Sequence, residues 1–344
     1  MTAWGSTLTL SPRKRTCYVR IITERRSEQH SEVRGLRTGQ LEPASVDRKL
    51  TLTSKKFRGS KKYRPFYPWD RILNVVNHRR ADRHLHLYPQ VAIFAFDNIG
   101  LVINQDGRYE AESLEILGDF LTHEIRIDRH TTAIDIGANV GNHAIFFSSI
   151  FDRVIAFEPN PKVFEILRVN SANSNITAIN CGLSDKSACL SFSINPKNLG
   201  GSRVVAGDSE STTTDAISIS IDVVRLDDVS QIMEQRVSLV KIDVEGHELQ
   251  VLEGAVGLIS FARPVIVFEQ GPTEIQHGTS PVIDFLRAHD YELFTIRNNF
   301  HLGQAFISRI ASVFLRLVFG FRKEIVPTTY FEKQFYEMII GIPR

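Results

Sequence analysis

Two glycines and an acid stand at spacings that suit the binding of a nucleotide-like cofactor. Gly137 and Gly141 follow a short apolar run, and Glu158 ends a second apolar run, 21 positions after Gly137. Glycine lets the backbone turn sharply and approach a ligand with no Cβ in the way. An acid at the end of the second strand of a βαβ unit accepts hydrogen bonds from a ribose diol. The stretch from Thr132 to Pro161 therefore predicts half of a cofactor cradle.

The residue before the glycines helps to decide which adenosine-bearing cofactor would bind. A dinucleotide fingerprint has the pattern G-x-G-x-x-G, which places a pyrophosphate at a helix N-terminus. This chain has Gly137-Ala-Asn-Val-Gly141 instead, preceded by Asp135. An acid at that position would repel a pyrophosphate but suits the α-ammonium of a methionyl group. The pattern favours S-adenosylmethionine over NAD, and an NAD-dependent dehydrogenase or epimerase is the alternative.

A second group of charged residues could act on an acceptor. Lys241, Asp243 and Glu245 end one apolar run, and Glu269 ends the next. In a doubly wound sheet, such positions lie beyond the carboxyl ends of neighbouring strands. An acceptor group that must lose a proton needs a base, and crowded carboxylates raise one another's pKa toward that of a useful base. We predict the three acids as candidate bases and Lys241 as the cation that pairs with one of them. The same oxygens would also suit Mg²⁺, which is kept as an alternative.

These motifs resemble those of the FkbM family of class I S-adenosylmethionine-dependent methyltransferases. The residues concerned are Asp135-Ile-Gly-Ala-Asn-Val-Gly141, Phe157-Glu-Pro159, Leu226-Asp-Asp228 and Lys241-Ile-Asp-Val-Glu-Gly-His-Glu248. The similarity extends from about Val91 to about Arg297, and the last motif is its most specific part. The resemblance implies a Rossmann-like α/β fold with a seven-stranded, mostly parallel sheet and helices on both faces. It also implies methyl transfer, usually to a hydroxyl oxygen.

The resemblance further implies where the donor would bind. Its adenine would lie after the third strand, near Gly182 and Leu183, and a helix from about Tyr109 to Leu121 would cross the mouth of the site. Together with the glycine turn, the expected cofactor-binding residues are Asp135, Gly137, Asn139, Gly141, Asn142, Glu158, Pro159, Gly182, Leu183 and Glu110. Enzymes of this family act on sugars, polyketides and other hydroxylated metabolites. The expected acceptor is therefore a hydroxyl on a sugar or glycan, with a secondary metabolite as the second choice.

Periodicity predicts the elements that position these residues. Short apolar runs predict buried parallel strands, the later ones at Ile176–Asn180, Val237–Asp243 and Pro264–Phe268. Between Lys186 and Val223 apolar and polar residues alternate, which predicts an antiparallel insertion that covers the substrate side before the fourth parallel strand. The stretch from Val91 to Asn104 predicts a hairpin around Asp97-Asn-Ile-Gly100.

Charge divides the chain into a basic appendage and an acidic body. Residues 1–86 carry 20 Lys/Arg against 7 Asp/Glu, whereas residues 87–344 carry 21 against 32. We predict a basic, disordered extension over 1–65, a helix and hairpin segment covering the cofactor mouth over 66–130, a methyltransferase core over 131–299 and a helical appendage over 300–344. A noncatalytic cofactor-binding module that holds a partner through its basic extension is a further alternative.

Cysteine usage and hydropathy bear on location and partners. The chain has three cysteines without a C-x-x-C pair, and it shows neither a signal-peptide core nor an uncharged apolar run of 18 residues. These features predict a cytoplasmic protein without structural zinc. Residues 302–319 form an amphipathic pattern that suits packing on the body or peripheral membrane contact. The acidic body does not favour nucleic acid, and the sequence does not indicate an oligomeric state.

Overall fold

A computed structural model of the chain describes residues 68–195, 199–205, 217–298 and 323–344, together with residues 6–9, 20–23, 311 and 315. Residues 6–9 and 20–23 form two short strands that pair antiparallel, within the range predicted to be disordered. The rest of that prediction, and almost all of the amphipathic pattern over 302–319, lies outside the described residues.

The helices and strands follow one another in an order typical of an α/β protein. The helices are α1 (Pro68–His84), α2 (Asn98–Asp106), α3 (Ala111–Asp119), α4 (Asn142–Phe147), α5 (Pro161–Asn170), α6 (Ser230–Met233), α7 (Glu248–Glu253), α8 (Val256–Ala262) and α9 (Pro281–Ala288). The strands are β1 (Ser6–Thr9), β2 (Arg20–Thr23), β3 (Thr132–Ile136), β4 (Arg153–Phe157), β5 (Ile176–Ile179), β6 (Gly182–Leu183), β7 (Ala188–Ile194), β8 (Arg203–Val204), β9 (Ile217–Val224), β10 (Val237–Ile242), β11 (Val265–Gln270), β12 (Tyr291–Asn298), β13 (Lys323–Pro327) and β14 (Tyr336–Pro343).

One large sheet organises the described part of the chain. Its eight strands have the order β13-β12-β14-β11-β10-β3-β4-β5. The five strands from β11 to β5 run parallel, which confirms the parallel strands predicted from the apolar runs. The order reverses between β3 and β10, which places the glycine turn after β3 beside the end of β10. This switch point is where open α/β sheets bind ligands.

Both faces of the sheet are buried, which explains why its central strands are mostly apolar. Every residue of Thr132–Ile136 is buried. Ile134 and Ile136 face one core cluster with Phe157 and Phe268, whereas Ala133 faces the other. Helices cover both sides, so a polar side chain on these strands is tolerated only at the carboxyl edge or when it is paired.

The predicted insertion forms a separate small sheet. Its strand order is β6-β9-β7-β8, and β7 and β9 pair antiparallel over seven residue pairs. The alternation of exposed and buried positions along β7 and β9 confirms the antiparallel prediction. However, β9 also pairs with Gly182–Leu183. The insertion therefore lies on the side predicted to hold the donor's adenine.

The hairpin predicted between Val91 and Asn104 is wrong, because helix α2 begins at Asn98. Asp97 is its N-cap, and its carboxylate accepts hydrogen bonds from the amides of Ile99 and Gly100. Gly107 ends the helix with a φ of 81°. The Asp-Asn-Ile-Gly sequence is thus a helix start and not a turn between strands, since an Asp side chain satisfies the free amides of a first helical turn.

The helical appendage predicted after residue 300 is also wrong over 323–344. Tyr336–Pro343 forms β14, which is inserted antiparallel between β11 and β12, and Lys323–Pro327 forms the edge strand β13. The run Met338-Ile-Ile340 is buried because both of its neighbours are sheet strands. The sheet consequently has eight strands within the described ranges instead of seven, and the core domain extends beyond residue 299.

Within the parts of the chain that the structure describes, no helix combines the length and the apolar composition needed to cross a bilayer.

Candidate active site

The glycine turn joins β3 to α4 at the carboxyl edge of the sheet. Gly137 and Gly141 have φ angles of 76° and 95°, in the region that favours glycine. A Cβ on Gly137 would lie 1.8 Å from the carbonyl oxygen of Asp243. The amides of Gly137 and Ala138 both donate to the carbonyl oxygen of Phe157, at 3.0 and 2.9 Å. The turn is therefore fixed against the ends of both neighbouring strands.

A cavity of about 310 Å³ lies at this turn. Its volume suits a small-molecule site. Most of the residues predicted from the sequence line it, namely Glu110, Gly137, Asn139, Asn142, Glu158, Pro159, Gly182, Leu183, Lys241, Asp243, Glu245 and Glu269. Asp135 and Gly141 do not. Gly141 instead shapes the turn, since its amide donates to the carbonyl oxygen of Ala138 at 2.8 Å. The structure brings these residues together, and their contact with a cofactor stays a prediction.

Glu158 lies in the wall of the cavity, just beyond β4. Its Oε2 accepts a hydrogen bond from the Asn139 amide at 3.0 Å, and its Oε1 accepts one from the Asn160 amide at 2.8 Å. Burial raises the pKa of Glu158 to about 7, although these two hydrogen bonds act in the opposite direction. Each oxygen keeps a further lone pair for a ligand. A diol that donated to this carboxylate would stabilise its ionised form.

Asp135 is paired with a buried lysine that lines the cavity. Its side chain is fully buried, and its Oδ1 lies 3.4 Å from the Nζ of Lys241, which also lies 3.0 Å from Oδ2 of Asp243. Burial alone would lower the pKa of Lys241, but the carboxylates of Asp243 and Asp135 outweigh it and raise that pKa. Asp135 and Lys241 are direct partners across β3 and β10, so their side chains project from the same face of the sheet. Asp135 thus balances a buried lysine in this structure, and its contact with a methionyl ammonium stays a prediction.

Three acids meet at the tips of β10 and β11. Carboxylate oxygens of Asp243, Glu245 and Glu269 lie within 4.8 Å of one another. Desolvation, with repulsion from Asp243 and Glu245, raises the pKa of Glu269 to about 9. Desolvation, with repulsion from Asp243 and Glu248, raises the pKa of Glu245 to about 7. The crowding therefore favours a proton held within the cluster, most strongly at Glu269. The spacing is also one at which carboxylates can share a cation.

The segment before α3 closes the same cavity. Asn142 holds the backbone of Tyr109, because its Oδ1 accepts from the Tyr109 amide at 3.1 Å and its Nδ2 donates to the Tyr109 carbonyl at 2.9 Å. Glu110 pairs with Nε2 of His143 at 3.1 Å. Burial, with the charges of Glu110 and Glu269, raises the pKa of Tyr109. Tyr109 thus stays protonated beside the acids and is not itself a base.

Sequence reasoning missed a hydrogen-bonded pair, one member of which lines the cavity. The Oγ of Ser184 lies 2.9 Å from Nε2 of His247, and it donates to Oδ1 of Asp185 at 2.9 Å. His247 lines the cavity. Ser184 follows the Gly182–Leu183 strand directly, and His247 begins helix α7. The sequence gives no local signal for this contact, since it joins residues 63 positions apart.

A second cavity of about 440 Å³ adjoins the first and shares Tyr109, Glu110 and Phe335 with it. Among the described residues, its other polar lining includes Arg297, Lys323, Asn298, Gln334 and Glu337. Lys323 pairs with Glu337 at 3.0 Å. Arg297 donates from Nε to Oγ1 of Thr295 at 3.2 Å, and within the described ranges no carboxylate pairs with its guanidinium. A concave surface with three aromatic rings and polar side chains thus adjoins the first cavity.

Comparison with known proteins is informative about the segment that builds the first cavity. The model of the methyltransferase FkbM domain matches residues 135–293. These residues form an FkbM methyltransferase domain. The match confirms the family predicted from the four motifs, and it covers a little under half of the chain.

The relatives of this FkbM domain are methyltransferases. Hexuronic acid methyltransferase AglP of Haloferax volcanii is 34% identical over 150 residues, which is 43% of this chain and 56% of that protein. Methyltransferase sdnD of Sordaria araneosa is 28% identical over 172 residues, which is 41% of this chain and 66% of that protein. The aligned part thus spans little more than half of the first relative. A crystal structure of an FkbM methyltransferase from Methylobacillus flagellatus is 18% identical, covering 65% of this chain and 56% of that one with a TM-score of 0.34. A likeness at that score carries no conclusion.

Proposed function

We propose that the protein is an S-adenosylmethionine-dependent methyltransferase that transfers a methyl group to a hydroxyl oxygen of a saccharide. One observation carries this proposal: Glu158 and the cluster of Asp243, Glu245 and Glu269 line the same cavity at the switch point of the sheet. The FkbM domain supports methyl transfer. The relative from Haloferax volcanii is named for a hexuronic acid, which supports a sugar as the acceptor.

The cavity residues fit the parts of the donor in a definite order. The free lone pairs of Glu158 would accept hydrogen bonds from the ribose hydroxyls. The apolar surfaces of Leu183, Phe192 and Val223 would enclose the adenine ring, since they lie together in the wall beside Gly182. When bound, S-adenosylmethionine supplies an electrophilic methyl group on a sulfonium. The methyl group would then have to face the acids, which line the same cavity.

The acids divide the work of removing the acceptor's proton according to their environments. Burial and the neighbouring acids raise the pKa of Glu269 to about 9, which suits a hydrogen-bond donor better than a base at neutral pH. Lys241 occupies an oxygen of Asp243. Glu245 has a pKa of about 7, which suits a general base at neutral pH. The acceptor oxygen would thus bond the methyl carbon as the carbon–sulfur bond breaks, and its proton would pass to Glu245.

The second cavity is the proposed place of the acceptor. Phe335 and Tyr109 offer aromatic faces on which the C–H surface of a sugar ring can pack, and Phe335 is 56% exposed. The guanidinium of Arg297 can accept a carboxylate in bidentate geometry. A saccharide that carries a uronic acid would therefore place its carboxylate at Arg297 and a hydroxyl toward Glu245.

Methyl transfer of this kind needs no divalent cation and no NAD. A turnover that EDTA abolishes would show that the acid cluster holds a metal ion instead. Cytoplasmic location, membrane contact through residues 302–319 and a partner for the basic residues 1–65 remain predictions.

The decisive experiment incubates the full chain with methyl-labelled S-adenosylmethionine and a panel of matched acceptors. The panel pairs D-glucuronides with D-glucosides of the same aglycone. We expect label in the glucuronide product as an ether, stable to mild base, which distinguishes it from a methyl ester. The Glu245→Gln variant should bind the donor and transfer poorly, and Glu165→Gln, on the exposed surface of α5, serves as the control. Label only in an ester would refute transfer to a hydroxyl.

A further inference from the structure

The contact between Ser184 and His247 fixes which nitrogen of the histidine carries a proton. A hydroxyl has one hydrogen, and Ser184 Oγ lies 2.9 Å from both Oδ1 of Asp185 and Nε2 of His247. An ionised carboxylate only accepts hydrogen bonds, so Ser184 must donate to Asp185. The hydroxyl oxygen then has only lone pairs for His247, and Nε2–H must be the donor. A neutral imidazole with its proton on Nε2 has an acceptor at Nδ1.

The surroundings keep this arrangement in place. Ser184 is 1% exposed, and its amide donates to the carbonyl oxygen of Val224 at 3.0 Å. A Cβ on Gly254 would lie 2.0 Å from the Ser184 carbonyl oxygen, so α7 packs directly on this backbone. Burial lowers the pKa of His247, against the opposing charge of Asp185, which favours the neutral ring at neutral pH. The Ser184 hydroxyl is therefore held in place, and the neutral imidazole of His247 bonds it with the proton on Nε2.

His247 borders the cavity, and its second ring nitrogen is available to accept a hydrogen bond. His247 lines the first cavity together with Cys181, Gly182 and Leu183. Nδ1 has no hydrogen-bond partner among the described residues and is not sealed from solvent. Asp185, which directly follows Ser184 in the sequence, does not line this cavity. The ring of His247 can thus offer a ligand in this cavity a nitrogen that accepts and does not donate.

We propose that His247 reads the 6-amino group of the donor's adenine through Nδ1, and that Ser184 and Asp185 enforce this reading by holding the proton on Nε2. The inference rests on the proposed function, because it requires an adenosyl ligand in this cavity. It assigns His247 as a specificity residue that touches the base, and Ser184 as a positioning residue that acts through it. A purine with a 6-oxo group would place its acceptor oxygen against the acceptor Nδ1 of His247, and it would therefore bind more weakly.

The test compares two ligands that differ only at this position. S-adenosylhomocysteine carries the 6-amino group, and S-inosylhomocysteine carries a carbonyl oxygen there. We expect calorimetric titration of the full chain to show that S-adenosylhomocysteine binds about 10- to 100-fold more tightly than S-inosylhomocysteine. The inosyl ligand loses a buried hydrogen bond and places its 6-oxo oxygen against the acceptor Nδ1. The ratio should fall below about threefold in Ser184→Ala, since the freed imidazole can move its proton to Nδ1 and donate to the oxo group.

Three further measurements separate the possible failures. His247→Phe should abolish the discrimination. Ser191→Ala should leave it unchanged, because within the described residues the Ser191 hydroxyl bonds Ser218 on the exposed face of the small sheet. In the free protein, nitrogen-15 NMR should show the Nε2–H tautomer for His247. Three results would overturn this inference and leave the proposed function intact, provided that S-adenosylhomocysteine binds. They are an affinity ratio of the two ligands near one, a ratio that Ser184→Ala does not change, and the Nδ1–H tautomer. Failure of the unaltered protein to bind S-adenosylhomocysteine would overturn both.

Discussion

Replacement of Lys241 by methionine tests the buried charges beside the site most sharply. The Lys241 side chain is 6% exposed and the Asp135 side chain 0%, and neither oxygen of Asp135 has a hydrogen bond within the described residues. Lys241→Met would leave Asp135 buried without a counter-charge. Breaking one side of a buried pair costs about 3–5 kcal/mol, because the remaining charge keeps its desolvation penalty.

Protonation of the orphaned acid sets an upper limit to that cost and makes it depend on pH. An aspartate with an unfolded pKa of about 3.9 costs about 1.4 kcal/mol per pH unit to keep protonated above that pKa, so about 4 kcal/mol at pH 7 and about 1.5 kcal/mol at pH 5. In the variant the folded state binds one proton more than the unfolded state. Its free energy of unfolding relative to the unaltered protein must therefore fall as pH rises from 5 to 7.

Urea unfolding at pH 5, 6 and 7 measures this difference, and a double-mutant cycle isolates its cause. Asp135→Asn should restore at least about 2 kcal/mol to Lys241→Met at pH 7, because it removes the unpaired charge. Arg168→Met is the control, since its pair with Glu165 is about 60% exposed on both sides, and it should cost less than about 1 kcal/mol. A Lys241→Met destabilisation that is equal at pH 5 and 7, or that Asp135→Asn does not relieve, would refute the reasoning.

Three other predictions concern the turn, the base and the acceptor. Gly137→Ala should lower the free energy of unfolding by more than about 2 kcal/mol, because the new Cβ would lie 1.8 Å from a carbonyl oxygen and φ is 76°. Gly271→Ala is the control in the same urea unfolding, since its nearest atom is at 3.7 Å, and it should cost less than about 1 kcal/mol. With Glu245 as the base, kcat/KM should rise with pH and level off above its pKa of about 7, and Glu245→Gln should remove this rise and lower kcat about 10²- to 10⁴-fold; an unchanged pH profile would exclude Glu245. Arg297→Leu should raise KM for a glucuronide about 10-fold or more and leave both KM for the matched glucoside and the affinity for S-adenosylhomocysteine unchanged; equal effects on both acceptors would contradict a carboxylate contact.

The elements around the cofactor motif could be predicted because their signals are local. The apolar runs of the parallel strands are set by burial on both faces, and Gly137 is required by a close backbone approach that a single residue type permits. The acids at the strand ends followed from topology, since parallel strands bring their carboxyl ends to one edge. Each of these features can be recognised within a few residues of the chain.

The errors arose where a distant partner decides the structure. Tyr336–Pro343 is a strand because β11 and β12 flank it, and no local pattern names those neighbours. The pairing of Asp135 with Lys241 depends on the register of two strands, which no local pattern gives. The Ser184–His247 bond joins two loops that are brought together only by the packing of α7. Asp97 was ambiguous, because the same side chain suits a turn and a helix cap.

Equilibrium binding of S-adenosylhomocysteine and NADH to the full chain tests the central claim most directly. We predict one binding site for S-adenosylhomocysteine, no binding of NADH, and an affinity about 10- to 100-fold weaker in Glu158→Gln, which lacks the charged acceptor for the ribose diol. Binding of NADH without S-adenosylhomocysteine, or an affinity for S-adenosylhomocysteine that Glu158→Gln leaves unchanged, would contradict the assignment of this cavity to the methyl donor.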